Sequence, residues 1–226
     1  KTYKIASGEA HNYLLLSEIS KLNRKVILSS GLSTYNQLKK IIEMFKLKKN
    51  KLSIMECTTD YPSKPEEIGL NNILKLKSKF KLPVGLSDHS GKIYPSLAAV
   101  ALGAELIEVH ATFDKQMFGP DSSSSLTIEE IKELVKGIRY IDKINSKNLN
   151  KNKISKKNIF YKKLFGKSLI VNKDLPKNNK IKINDLEAVK PMGYGISTEK
   201  FKTLIGKKIK TNMKKNQFLK KNNFYK

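Results

Sequence analysis

The chain has 226 residues, 39% of them hydrophobic and 8% aromatic, with one cysteine and a formal net charge of +25. That supplies a proper core and excludes wholesale disorder. The lone Cys57 excludes an intramolecular disulfide framework and fits a reducing cytoplasm; no apolar run reaches the roughly 18 residues of a membrane span, and no basic-then-apolar leader pattern opens the sequence.

In chain order, short apolar β-rich runs at residues 3–6, 26–28, 52–55, 84–86 and 106–109 predict strands. Helical periodicity predicts helices over 12–22, 35–47, 71–80, 94–102 and 128–144; the second carries Leu38, Ile41, Ile42 and Phe45 on one face. Strand and helix alternate, so the expected class is α/β, with about five βα units on a buried parallel sheet. Such a series makes five eighths of a (β/α)₈ TIM barrel, whose other three units would take about 100 residues, or a five-stranded open sheet.

The strands run into SGE (7–9), SSG (29–31), CTTDYP (57–62), SDH (87–89) and HATFD (110–114). Hydroxyls, carboxylates and histidines thus gather at carboxyl ends of strands, the face on which barrel active sites are built. His89 and His110 follow consecutive strands; two neutral imidazoles on one rim suit a divalent ion such as Mn²⁺, Zn²⁺ or Fe²⁺, and each would equally serve as a hydrogen-bonded loop residue. Asp88 would orient His89 or cap the next helix. Lys4 lies within an apolar strand, where it either faces outward or meets a bound phosphate or carboxylate. Ser7, Ser29 and Ser87 could donate to phosphate oxygens.

The charge is uneven. Residues 143–226 hold 24 lysines against four acidic residues, and the change falls in the polar stretch 145–158. That stretch reads as a linker between a domain over 1–144 and a second over 159–226. Only Arg24 and Arg139 are arginines, and the aromatics of the basic region are not interleaved with arginine, so the lysine excess reads as coding bias before nucleic-acid binding.

KIASGE, VILSSGLST, CTTDYP, GLSDHS, AVALGAELIEVHATFD and MFGPDSSSSL, in this order and spacing, resemble the sialic acid synthase family of N-acetylneuraminate, legionaminate and pseudaminate synthases. The segment from GKSLIVNKDL to LIGKKI is similar to the small, mostly-β antifreeze-like (SAF) domain these enzymes carry, so the resemblance covers nearly all of residues 3–220. It implies a transferase that condenses phosphoenolpyruvate with the open-chain aldehyde of an N-acylated amino sugar, typically N-acetylmannosamine, giving a nine-carbon 2-keto acid and phosphate. It further implies Lys4, Ser7, Ser29, Thr59 and Ser87 as the anion cradle, His89 and His110 as ligands of a Mn²⁺-class metal, Glu9 as an acid/base or positioning group, and Tyr61 and Asp121 on the sugar hydroxyls.

Two departures qualify the resemblance. The family begins with three further βα units, absent from this sequence. The expectation is therefore a partial barrel with open edges at its first and last strands and no measurable synthase activity for the chain alone: either it is one piece of a split or truncated gene, or a separate N-terminal chain supplies the rest. Also, residues 189–195 read VKPMGYG where the family loop reads roughly VKRPGNG and presents an arginine to the acyl group in a swapped homodimer; Pro191 takes the arginine's place, with Lys190 as stand-in. The alternative is a non-catalytic remnant whose basic C-terminal region is an interaction or nucleic-acid-binding module, separable by steep salt dependence.

Overall fold

The computed structural model describes residues 1–47 and 51–225. The chain divides into two compact units, Lys1–Asn148 and Leu149–Lys226.

Among the described residues the first unit contains six strands, β1 (Thr2–Ile5), β2 (Lys25–Ser29), β3 (Lys51–Cys57), β4 (Val84–Asp88), β5 (Ile107–Thr112) and β6 (Ser125–Thr127). Between and after them run α1 (Tyr13–Lys21), α2 (Tyr35–Leu47), α3 (Leu70–Phe80), α4 (Tyr94–Ala101) and α5 (Ile128–Asn145). The strands lie in chain order and every pairing is parallel, which makes a curled half-barrel sheet.

Period two divides the strand residues between the two faces of the sheet. Ile5, Val26, Leu28, Leu52, Ile54, Val84 and Leu86 enter one core with Leu38, Ile41, Ile42 and Phe45 of α2, Ile73 and Leu76 of α3, and Ala99 of α4. Burying each large side chain contributes about 1.5–3 kcal/mol. The opposite face, beside Ile27 and Met55, is mostly polar. Along it lie Lys4 of β1, Ser29 of β2, Cys57 of β3, Ser87 of β4, Glu108 and His110 of β5, and Ser125 of β6, with Cys57, Ser87 and Glu108 in one register row and His110 opposite Ser125.

The sheet keeps the expected series of about five βα units and adds a short strand, β6, before the last helix. β6 is three residues long, and its sequence, Ser-Leu-Thr, has one apolar side chain, Leu126, so no apolar run announced it. β5 runs past the expected strand at 106–109 and pairs with β6 over His110–Thr112, so these pairs do not extend to residues 106–109. The edge strands of this sheet are β1 and β6.

The second unit opens with α6 (Lys156–Phe165), capped by the Ser155 side chain, which accepts from the Asn158 N–H. The stretch read as a linker thus holds the end of α5 and the start of α6. β7 (Ser168–Val171) and β8 (Leu186–Val189) pair antiparallel, and isolated bridges such as Ile170↔Phe218 and Leu175↔Met213 fold the remaining chain around them. Its core is Leu169, Val171, Leu175, Ile181, Leu204, Ile209, Met213, Leu219 and Phe224. Among the described residues no helix is long and apolar enough to cross a membrane.

Candidate active site

On the polar face of the sheet four side chains converge. The Lys4 ammonium lies 3.0 Å from Glu108 Oε1 and donates to Ser29 Oγ at 2.9 Å. Ser87 Oγ donates to the same Glu108 oxygen at 2.7 Å. Lys4 therefore faces the site, and its alternative outward orientation is excluded. A carboxylate on β5 balances the ammonium, in line with the rule that charges leaving water are paired.

Ser7 lies beside this group in a one-turn 3₁₀ helix after β1. Its hydroxyl accepts from the Gly31 N–H at 3.2 Å and donates to Cys57 Sγ at 3.3 Å. A side chain at Gly31 would collide with Ser7 Oγ and Thr59 Oγ1, which places Thr59 at the same spot and requires glycine there. Glu9 lies apart. It is exposed, and Oε2 accepts from Asn12 Nδ2 at 2.8 Å; among the described residues none of its contacts reaches the Lys4 cluster.

The two histidines form a second group. His89, buried just after β4, holds its Nδ1 2.8 Å from the Thr58 carbonyl oxygen. A carbonyl only accepts, so Nδ1 carries a proton, and it is the tautomer with its lone pair on Nε2 that this contact selects. Ser87 lies 3.4 Å from Nε2, but its proton is committed to Glu108. The ring of His110 stands edge-on to that of His89, 5.2 Å between centroids. Asp121 Oδ2 is 3.7 Å from His110 Nδ1. Tyr61 stacks on His89 at 4.2 Å and meets His110 edge-on at 5.7 Å. Burial, followed by the negative charges of Cys57, Asp121 and Glu108, raises the Tyr61 phenol above its ordinary 10.0, so it stays a donor at neutral pH.

Asp88 does neither of the two things expected of it. Its oxygens accept from the Ser90 N–H and hydroxyl, both at 3.0 Å, and the Thr58 carbonyl orients His89 instead. Burial raises the Asp88 carboxyl above the ordinary aspartate range, against the Ser90 and His89 contributions. Lys190 belongs to the second unit, where its ammonium lies 5.1 Å from the centre of the Phe165 ring. Sequence reasoning missed Glu108, although it stands two residues before His110 on the same strand and so shares its face.

Residues 1–150 match the model of the NeuB family, and residues 166–224 match that of the SAF domain. The chain belongs to the NeuB family. It is 37% identical to N,N'-diacetyllegionaminic acid synthase of Campylobacter jejuni over 97% of this chain and 66% of that protein. It is 35% identical to pseudaminic acid synthase of the same organism, over 98% and 64%. The crystal structure of N-acetylneuraminic acid synthetase from Leptospira borgpetersenii superposes with a TM-score of 0.66 at 34% identity, covering 71% of this chain and 56% of that one. This NeuB-family chain thus spans slightly under two thirds of the length of these curated relatives.

Proposed function

We propose that this chain carries the phosphoenolpyruvate and metal side of a synthase site, condensing phosphoenolpyruvate with an N-acylated amino sugar of the N-acetylmannosamine type. The supporting observation is the bonded set Lys4–Ser29–Glu108–Ser87 on the same face of the sheet as the edge-to-face rings of His89 and His110. Phosphoenolpyruvate needs a cationic, hydroxyl-rich cradle. Lys4 supplies the cation, and Ser7, Ser29, Ser87 and Thr59 the hydroxyls, with the protons of Ser7 and Ser87 turning from Cys57 and Glu108 to the ligand when it binds. Tyr61 and Asp121, at the histidine end, are placed for sugar hydroxyls.

The imidazoles fit a Mn²⁺-class ion, since the His89 tautomer leaves Nε2 free to ligate. Among the described residues no cluster of three or more His, Cys, Asp or Glu could hold one, so non-protein oxygens would complete the shell. When bound, such an ion would polarise the aldehyde oxygen as a Lewis acid. The enol carbon of phosphoenolpyruvate forms the new bond to the aldehyde carbon. The aldehyde oxygen gains a proton, water adds at the former enol-ether carbon, and the resulting tetrahedral centre expels phosphate to leave the 2-keto acid. Of the carboxylates at these strand ends, Glu108 touches the cradle, while Glu9 is held by Asn12. The SAF unit would cover a second subunit's site in a homodimer, with Lys190 toward the acyl group.

The test is phosphate release from phosphoenolpyruvate with N-acetylmannosamine and Mn²⁺. It is run on the chain alone and with the N-terminal segment of the Campylobacter relative added. Release in the second assay that disappears in His110→Ala supports the proposal. No release in either assay, with a folded chain, counts against it.

A further inference from the structure

Glu56 is a buried carboxylate that the proposed reaction does not use. It follows Leu52 and Ile54 in the period-two series of β3, so the strand turns it toward the helices, where its neighbours in the series are apolar. It is 8% exposed. Burial raises its pKa, and donors from Asn72 and Ser30 partly offset that. Asn72 Nδ2 donates to Oε1 at 3.0 Å and Ser30 Oγ to Oε2 at 3.3 Å. The Tyr35 hydroxyl donates to Asn72 Oδ1 at 3.0 Å, which fixes the amide with its NH₂ toward the carboxylate. Gly69 leaves the space that Glu56 Oε1 occupies, since any side chain there would collide with it.

Two features make this arrangement more than packing. A buried charge held by polar partners is a poor source of stability, and a well-packed apolar residue is often as good or better. The carboxylate also grips one particular segment. Ser29 and Ser30 straddle the sheet: Ser29 Oγ accepts from Lys4 on the polar face, while Ser30 Oγ bonds to Glu56 on the helix face. The next residue, Gly31, gives its N–H to Ser7. Behind this turn lies a cavity of about 320 Å³, lined in part by Ser30, Gly31, Thr34, Tyr35, Glu56 and Asn72. The turn borders this open space, and Glu56 joins the backbone bond from the Ser30 N–H to the Met55 carbonyl oxygen, 3.0 Å, in holding it.

We propose that Glu56 is a positioning residue that holds the Ser29–Gly31 turn in the geometry in which Ser29 and Ser7 present their hydroxyls to the anion cradle. The link to phosphoenolpyruvate rests on the function proposed above, but the anchoring does not. The first measurement is therefore amide hydrogen exchange of Ser30 and Gly31 in the ligand-free chain. Loss of one anchoring hydrogen bond corresponds to about tenfold. In Glu56→Leu, exchange at both amides rises by about that factor, in excess of any rise at the core amides that report global stability. Glu56→Gln, which can still accept from Asn72 and bond to Ser30, restores slow exchange. Ser30→Ala cuts the same link from the other end and reports even if the leucine variant fails to fold.

The second measurement is phosphoenolpyruvate affinity by calorimetry. It falls about tenfold in Glu56→Leu and recovers in Glu56→Gln. Wild-type exchange in Ser30→Ala, or in a folded Glu56→Leu, overturns the proposal. So does faster exchange that Gln fails to restore, or faster exchange with unchanged phosphoenolpyruvate affinity. A wild-type chain that binds no phosphoenolpyruvate counts against the proposed function, and the exchange data then decide the anchoring alone.

Discussion

The rings of His89 and His110 meet edge to face, 69° apart, from positions on adjacent strands, and Tyr61 closes over both. Their spacing depends on register. β4 and β5 pair from Leu86↔Ile107 to Asp88↔Val109, so the residue after each last pair emerges at the same height on the rim. A divalent ion shared by the pair should be lost when either imidazole is removed. After incubation with Mn²⁺ and gel filtration, His89→Ala and His110→Ala should each retain at least about tenfold less metal than the wild type by elemental analysis. Equal retention in both variants would remove the histidines from the site.

Lys4 separates affinity from stability. Its side chain is 31% exposed and that of Glu108 41%, so the pair is largely solvent-screened and contributes under about 1 kcal/mol to folding. A charge-assisted bond to a bound phosphate is worth about 1.5–3 kcal/mol. Lys4→Ala should therefore leave the melting temperature nearly unchanged and weaken phosphoenolpyruvate binding by about 10- to 100-fold. A large stability loss with intact binding would make Lys4 a structural residue.

Much of the fold was legible in the sequence because the two layers differ in chemistry. The 3.6 period of Leu38, Ile41, Ile42 and Phe45 marked α2 over the full Tyr35–Leu47 now observed. The histidines were legible because each followed an apolar run: His89 leaves the end of β4, whereas His110, expected just past its strand, lies within β5, which continues to Thr112. β6 was not legible, since its Ser-Leu-Thr gains strand character only from pairing with β5. Nor was the Lys4–Glu108 pair, because the two residues come from the first and fifth strands and only the curl of the sheet brings them to 3.0 Å. Glu56 reads in sequence as a flaw in an apolar strand. Its partners Ser30 and Asn72 come from other elements, and tertiary structure alone connects them.

The start of α5 offers a local stability test. Thr127 Oγ1 accepts from the Glu130 N–H at 3.3 Å while Glu130 Oε2 accepts from the Thr127 N–H at 2.8 Å, a reciprocal cap. Lys115, from the segment after β5, donates to Glu130 Oε1 at 2.7 Å and ties that loop to the helix. Thr127→Ala should cost about 1 kcal/mol in chemical denaturation. No measurable change would mean that packing of α5, through Leu134, carries its stability unaided.

In the second unit Asp185 couples stability to pH. Its side chain is 3% exposed, Oδ1 is 2.7 Å from the Lys173 ammonium, and Oδ2 accepts from the Lys182 N–H at 2.9 Å. Burial pushes the carboxyl pKa up, but the bonds and charges of Lys173 and Lys182 outweigh it and leave the value below the ordinary 3.8. A carboxyl lowered on folding stabilises the charged form. Its contribution is complete above 3.8 and disappears as pH falls through the lower folded value. Asp185→Asn keeps an acceptor for Lys182 but loses the ion pair. It should destabilise the second unit by about 1–2 kcal/mol at neutral pH. In melts from pH 7 downward the deficit should persist to the ordinary aspartate range and then narrow, as the wild-type carboxylate protonates and the two proteins converge. A deficit that stayed constant, or widened, as the pH fell would show that packing around Asp185 matters and its charge does not.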